Sequence, residues 1–198
     1  IRDKPAEPAH RTCAPAPESV VRLARNLQAN VITMTDKIDV IIIGAGASGL
    51  MCAIEAGKRH RRVLVMDHAK TPGQKILLTG GGRCNFTNRS VAADHYVSHN
   101  PHFVKSALSR YTQRDFLNLV QKHHIAFCER AHGQLFCEGS SQDILNMLLA
   151  ECEQAGVSFQ LDAKIENIEQ AGEHRFLVRS SRASHACESL VVATGGLS

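Results

Sequence analysis

The chain has 198 residues, of which 43% are apolar and 21% are charged, and its formal net charge is +4. This composition is typical of a globular protein, and no apolar run reaches the roughly 18 residues that a membrane-spanning helix needs. The seven cysteines are scattered without a Cys-x-x-Cys pair, which argues against a structural zinc site and favours a reducing, cytoplasmic setting.

The first 35 residues differ in composition from the rest of the chain. Four prolines fall among the first seventeen residues, and apolar periodicity is weak. We therefore expect residues 1–35 to be a flexible extension and residues 36–198 to be the folded domain. Asp3, Glu7 and Glu18 make the extension more acidic than transit peptides usually are. Met34 is a candidate initiator, because it stands just ahead of the first predicted strand.

Two short β-branched runs with a helical pattern between them follow the extension. The runs are "DVIIIG" from Asp39 and "RVLVMD" ending at Asp67, and both are typical of buried parallel strands. Between them, Leu50, Ala53 and Ile54 recur at helical spacing. The sequence therefore predicts a βαβ unit with a right-handed crossover.

Three glycines between the first strand and the helix form the pattern G-x-G-x-x-G. In the dinucleotide-binding fold the first glycine, here Gly44, allows a tight turn. The second, Gly46, lets a pyrophosphate approach the backbone, and Gly49 lets the helix pack against the strand. The Ser48 hydroxyl can donate to a phosphate oxygen.

Asp67 ends the second predicted strand, 18 residues beyond Gly49. A carboxylate at this place accepts hydrogen bonds from the adenosine ribose and disfavours a 2′-phosphate. The alternative is that Asp67 is a solvated acid at the end of a strand.

The segment "GQKILLTGGGRCNFTN" from Gly73 to Asn88 distinguishes this chain from a nicotinamide dehydrogenase, which would normally continue with further simple βα units. A strand-like run, Lys75–Leu78, precedes three consecutive glycines. Such a long glycine-rich excursion is tolerated in a packed fold when it has a function. A P-loop is excluded, because no Gly-Lys-Ser/Thr follows the glycines.

The remaining elements follow in chain order. Helical patterns cover 102–122 and 141–155, the second with a cap at Ser140 or Ser141 and an end near Gly156. The segments 157–170, 175–180 and 187–196 are predicted strands, which form a β-meander near the end of the chain.

The motifs "DVIIIGAGASGLMCAIEAG", "GQKILLTGGGRCNFTN" and "LVVATGGLS" together resemble the bacterial BaiN-like flavoproteins, also called aminoacetone-oxidase-like enzymes. The resemblance covers roughly Met34 to Ser198. It implies an α/β fold of the FAD-binding Rossmann type shared with glutathione reductase. It also implies that 36–198 is an incomplete FAD-binding domain, whose second half and substrate domain are absent.

The resemblance assigns sixteen residues to the cofactor FAD. Five would hold the pyrophosphate: Gly44, Gly46, Ala47, Ser48 and Gly49. Asp67 and His68 would hold the adenosine ribose. Six would wrap the middle and the flavin end: Lys75, Gly81, Gly82, Arg83, Cys84 and Asn85. The backbone at Ile165 would read the adenine, and the strand end at Thr194 and Gly195 would pass close to the dinucleotide.

Several of these residues have plainer alternatives. Arg83 can neutralise a phosphate or the reduced flavin, or it can form a surface salt bridge. Ile165 can be an ordinary core residue. Cys84 can be a redox thiol beside the flavin or a small side chain in a tight loop, and the second interpretation is favoured because no cysteine neighbours it.

Two further patterns give no predicted site. His124, Cys128 and His132 have four-residue spacings, but "IAFCER" is a strand pattern, so no metal site is predicted. The chain has "GQLFC" at Gly133–Cys137 where many members of the family have Gly-Arg-Val-Phe-Pro.

The sequence predicts a flavoprotein oxidoreductase that transfers hydride or electrons through FAD to a small-molecule substrate, with NAD(P)H as a candidate electron donor. An NAD-dependent dehydrogenase and a non-catalytic dinucleotide-binding module are the alternatives. A nucleic-acid partner is not predicted, because the basic cluster Lys58–Arg62 reads as the end of a helix and contains no aromatic residues.

Overall fold

The structure is a computed structural model that describes residues 37–170, 172 and 176–196. The predicted extension, residues 1–35, lies outside the described residues. In chain order the strands are β1 (Ile38–Ile43), β2 (Val63–Met66), β3 (Asn85–Asn88), β4 (Phe127–Glu129), β5 (Gln134–Cys137), β6 (Ser158–Gln160), β7 (Ile165–Gln170), β8 (Phe176–Ser180) and β9 (Ser184–Val192). The helices are α1 (Ala47–Gly57), α2 (Gln74–Leu78), α3 (Lys105–Arg110), α4 (Gln113–Lys122) and α5 (Ser141–Gln154).

The main sheet has six strands in the order β6-β2-β1-β9-β8-β7. β6, β2, β1 and the second half of β9 run parallel, whereas β7, β8 and the first half of β9 form an antiparallel meander. Cys187 joins the two parts, because it pairs with Ile38 of β1 and with Phe176 of β8. The predicted α/β fold with a βαβ unit and a terminal meander is confirmed.

Alternate residues of β1 and β2 enter two different cores, as the period of a strand requires. Ile42 and Val65 face α1 and α5, in a core that also holds Leu50 and Leu148. Ile41 and Leu64 face the other way, where Val178 and Phe176 of the meander cover them. Because both faces are covered, the two strands are apolar except at Asp39, which pairs with Arg62.

Three predicted elements differ from those observed. The predicted strand 157–170 is two strands at opposite edges of the sheet, because Asp162 has φ 54° and turns the chain between them. The helical pattern 102–122 is interrupted at Thr112, whose hydroxyl oxygen accepts from the Asp115 amide in a capping box and so begins a new helix. The strand-like run Lys75–Leu78 belongs to the short helix α2.

A second, three-stranded antiparallel sheet has the order β3-β5-β4. The sequence predicted only β4 of these strands. The ring of Phe86 on β3 lies 6.1 Å from that of Phe116 on α4 and 5.9 Å from that of Phe127 on β4. The small sheet therefore packs against α4 through aromatic contacts.

α5, at fourteen residues, is the longest helix in the described part of the chain. None of the described helices has both the length and the apolar character needed to cross a bilayer.

Candidate functional site

A cleft of about 380 Å³ opens at the carboxyl ends of β1 and β9. This is the edge at which open α/β sheets bind their ligands. The turn between β1 and α1 forms its floor, and the ends of β2 and β9, the start of α2 and the β6–β7 connection form its walls.

The three glycines of the first turn have different surroundings. Gly44 has φ 113°, and a Cβ there would collide with the carbonyl oxygen of Ala193. A Cβ on Gly49 would collide with the carbonyl oxygen of Gly44. A Cβ on Gly46 would meet nothing within 4 Å. Gly44 and Gly49 thus permit close packing within the protein, whereas Gly46 leaves open space in front of α1.

The start of α1 is suited to an anion. Its N-cap is Gly46, which offers no side chain to accept from the first helical amides. These amides carry the positive end of the helix dipole. Ala47 and Ser48 are exposed at this end, and Ser48 lines the cleft.

Asp67 closes the end of β2 and is held by the backbone of two neighbouring loops. Its carboxylate accepts from the Ala45 amide at 2.6 Å and from the Ala69 amide at 2.8 Å. The His68 Nδ1 lies 3.3 Å from the same carboxylate, while the His68 side chain is mostly exposed. The geometry therefore fixes Asp67 beside the first turn.

Lys75 crosses the cleft from α2 to the end of β9. Its Nζ donates to the Gly196 carbonyl at 2.9 Å, and it lies close to Gly195. Ile165 and Lys164 line the cleft from the start of β7. The cleft is thus lined by two lysines, one from α2 and one from the β6–β7 connection.

The glycines of "TGGGRCN" adopt a left-handed backbone in succession. Gly80, Gly81 and Gly82 have φ values of 59°, 65° and 88°. A Cβ on Gly80 would lie 2.8 Å from the Phe136 ring, whereas one on Gly81 or Gly82 would meet nothing within 4 Å. Gly80 therefore packs against β5, and the next two glycines present bare backbone to open space.

Arg83 and Cys84 follow this turn in opposite environments. The Arg83 side chain is exposed and forms no ion pair with a carboxylate of the described residues, so the predicted alternative of a salt bridge is not observed there. Cys84 is buried, and burial raises the pKa of its thiol, although a hydrogen bond with Thr79 opposes this. A raised pKa disfavours the reactive thiolate, which supports the structural interpretation of Cys84.

The cleft brings together nine of the predicted cofactor residues: Gly44, Gly46, Ser48, Asp67, His68, Lys75, Ile165, Thr194 and Gly195. Ala47 and Gly49 lie beside it in α1. The structure places five others in or just after the glycine turn, outside the cleft lining: Gly81, Gly82, Arg83, Cys84 and Asn85. The assignment of each residue to FAD stays a prediction.

Seven further residues line the cleft that the sequence did not single out: Ile43, Ala69, Thr71, Gly73, Gln74, Ala163 and Lys164. The sequence did contain a signal for Gly73, because Pro-Gly in "TPGQ" is typical of a turn. In the structure Gly73 has φ 69° at the start of α2. Lys164 carried none, because a lone lysine between two strands has no local pattern.

The basic cluster Lys58–Arg62 ends α1, as predicted. Lys58 pairs with Glu151 at 3.1 Å, Arg59 with Glu55 at 2.8 Å, and Arg62 with Asp39 at 2.8 Å. Much of its charge is thus compensated within the protein.

Known proteins resemble this chain in sequence and in fold. A family model described as the HI0933-like protein Rossmann domain matches residues 38–198. The ribosomal RNA dihydrouridine synthase of Escherichia coli is 51% identical over 163 residues, which are 82% of this chain and 40% of that protein. The 3-dehydro-bile acid delta(4,6)-reductase of Clostridium scindens is 26% identical over 159 residues, 78% of this chain and 38% of that protein.

Among solved structures, the 3-ketosteroid-delta4-(5alpha)-dehydrogenase of Rhodococcus jostii has a TM-score of 0.59 at 13% identity, over 85% of this chain and 48% of its own. This likeness supports the fold alone. The chain spans about two fifths of the length of the two curated relatives named above. The comparisons do not single out the BaiN-like members. Because the family model covers most of the chain, the chain belongs to the HI0933-like family of FAD-binding Rossmann proteins.

Proposed function

We propose that this chain is the FAD-binding portion of a reductase that converts uridine to dihydrouridine in ribosomal RNA. The main observation in support of a bound FAD is the open space at Gly46, in front of the uncapped start of α1. The substrate class comes from the 51% identical relative, whose name states this activity.

The residues at the cleft fit an FAD molecule. The amides at the start of α1 and the Ser48 hydroxyl would bind the pyrophosphate. Asp67 would accept from the ribose hydroxyls with the acceptor capacity that the Ala45 and Ala69 amides leave. The bare backbone of Gly81 and Gly82 would lie against the cofactor beyond the pyrophosphate.

Two cations would tune the bound cofactor. Lys75 would reach the middle of FAD from the edge of the cleft, where it now donates to Gly196. Arg83 is exposed and has no carboxylate partner among the described residues, so its charge is available to the flavin end. A cation near the flavin raises its tendency to accept electrons.

FAD, when bound, supplies hydride chemistry at its isoalloxazine ring. In the net reaction, NAD(P)H and one proton reduce the C5=C6 bond of uracil, which gives dihydrouridine and NAD(P)⁺. The domain described here would bind and orient the cofactor, and we expect the residues that contact the base to lie in the remaining length of the protein.

This proposal departs from the expectation that the protein has no nucleic-acid partner. That expectation depended on the cluster Lys58–Arg62, and the ion pairs of the cluster support its structural interpretation. The other basic segments of the chain were not considered in that expectation.

The test uses the purified protein at its natural length with FAD, NADPH or NADH, and ribosomal RNA from cells that lack the enzyme. Nucleoside mass spectrometry should detect new dihydrouridine that depends on both the protein and the reductant. A protein whose flavin is reduced and reoxidised while the RNA gains no dihydrouridine would overturn the substrate. A protein that binds nicotinamide dinucleotide without flavin would support a dehydrogenase, and one whose flavin no reductant bleaches would support a binding module.

A further inference from the structure

We propose that residues 89–114, the RNA-facing segment, bind single-stranded RNA next to the base that is reduced. This inference depends on the function proposed above and adds where the RNA backbone and its neighbouring bases lie. The segment begins after β3, includes α3 and ends at the start of α4.

The RNA-facing segment exposes aromatic and apolar side chains to solvent. The side chains of Tyr96, Phe103 and Tyr111 are 45%, 75% and 39% exposed, and Val97 is fully exposed. No residue from 89 to 114 is buried. Three exposed rings within 26 residues of the chain mark a surface for binding.

The same segment carries most of the net positive charge of the chain. Residues 89–114 hold four cations, Arg89, Lys105, Arg110 and Arg114, against the single carboxylate of Asp94, which gives +3 of the formal +4. Arg89 pairs with Glu129 at 2.9 Å. The other three cations are exposed and form no ion pair with the described carboxylates.

Cations interleaved with exposed rings are what single-stranded nucleic acid requires, since phosphates bind the cations and bases stack on the rings. The cluster Lys58–Arg62 lacks this combination, because it has no aromatic residue and three of its cations are paired. An apolar protein partner would cover the rings but leave the cations uncompensated. Charge complementarity therefore favours RNA as the occupant.

The position of the segment agrees with this role. It starts at Arg89, six residues after Arg83, so the two lie no more than about 20 Å apart along the extended chain. Arg83, Cys84 and the four-residue strand β3 separate the segment from the glycine turn that we assign to FAD. Nucleotides beside a base that reaches the flavin would come within range of the segment.

The experiment measures binding of an oligouridylate of about 12 nucleotides, a length within the range that such sites cover. It uses the protein at its natural length and fluorescence anisotropy at several salt concentrations. One variant carries Tyr96→Ala with Phe103→Ala, and another carries Lys105→Ala with Arg110→Ala. The matched controls are Ile168→Ala, an exposed apolar residue of β7, and Arg61→Ala, an exposed cation of the other basic cluster.

We expect the aromatic variant to bind at least about ten-fold more weakly, because each stacked ring stabilises the complex substantially. The charge variant should make the negative slope of log K against log salt about 1.4 shallower, since each of the two lost phosphate contacts on a single strand contributes about 0.7. Both controls should bind as the wild type does. Thermal melting should stay unchanged in the charge variant.

Unchanged binding in both test variants, or equal losses in the controls, would overturn the inference. An aromatic variant that loses thermal stability while the charge variant keeps the wild-type salt slope would also overturn it, because the rings would then pack against the protein's own chain. Dihydrouridine formation by the wild type separates the two proposals. If the wild type forms dihydrouridine and the variants bind normally, only the inference about the segment fails. If the wild type binds RNA through the segment but forms no dihydrouridine, the proposed function fails, and only RNA binding by the segment stands.

Discussion

At the residue scale, Gly46 and Gly49 are three positions apart and do different work. Gly49 is buried against the carbonyl of Gly44, whereas Gly46 borders open space. The pattern G-x-G-x-x-G predicted this division, because the fold uses the second glycine for the ligand and the third for helix packing. Lys164 was not predicted, since it reaches the cleft only through the turn at Asp162 that separates β6 from β7.

Replacing Gly46 with valine should abolish FAD binding and largely spare the fold. The residue has φ −83° and ψ −175°, a conformation that valine adopts readily. Its branched side chain would fill the space in front of α1. Flavin absorbance after gel filtration measures occupancy, and thermal melting of the FAD-free protein measures the fold.

The matched control is Gly49→Ala. Its Cβ would overlap the Gly44 carbonyl, so this variant should lose about 1 to 3 kcal/mol of unfolding free energy. Full flavin occupancy in Gly46→Val would show that the open space in front of Gly46 does not hold the cofactor.

At the scale of elements, one buried carboxylate joins three helices on the side of the sheet away from the meander. Glu151 of α5 is 1% exposed and contacts the amines of Lys58, at the end of α1, and Lys122, at the end of α4, at 3.1 and 2.7 Å. The His123 imidazole lies 2.8 Å from it. Burial raises the pKa of Glu151, but hydrogen bonds from Lys122, His123 and Lys58 outweigh this and lower the pKa to about 2.

Replacing Glu151 with glutamine should reduce the unfolding free energy at neutral pH by about 2 to 3 kcal/mol, because two lysines and a histidine lose their anionic partner. The pKa is lowered on folding from 4.5, so the stabilisation is present above that value and is lost as the pH falls toward about 2. Chemical denaturation of both proteins across this range measures the difference in unfolding free energy between them. This difference should be constant above pH 5 and should vanish in acid. Glu153→Gln, on the exposed face of α5, is the control. If the difference in unfolding free energy stays the same down to about pH 2, the stabilisation by Glu151 is not electrostatic.

The elements themselves were predictable to different degrees. The helix α5 was predicted, with a cap at Ser140 or Ser141, because its apolar residues recur at helical spacing after two serines. In the structure Ser140 is the cap and forms a capping box with Asp143. The break at Thr112 was missed, although it has the same capping box, because the helical pattern runs through it. The strands β3 and β5 were missed because four-residue strands of a small sheet are defined by their partners more than by their own sequence.

At the scale of the whole molecule, the cleft depends on residues far apart in the chain. Asp67, Lys75, Ile165 and Gly195 meet because β9 leaves the meander and enters the parallel sheet beside β1. The βαβ unit predicted the fold class. The wall of the cleft opposite α2 depends on the later strands, because the β6–β7 connection and the end of β9 form it. The chain spans about two fifths of the length of the relatives named above. We therefore propose, as part of the proposed function, that the rest of the catalytic site lies in the remaining length of the protein.

The proposed function requires that this domain hold FAD in the cleft beside Gly46. The most direct measurement is the identity of the cofactor released when the purified protein at its natural length is denatured. We predict close to one FAD per chain, recognised by its absorbance spectrum and its chromatographic retention against FAD and FMN standards. Release of a nicotinamide dinucleotide, or of no dinucleotide from a protein that also fails to bind added FAD, would contradict FAD binding in this cleft.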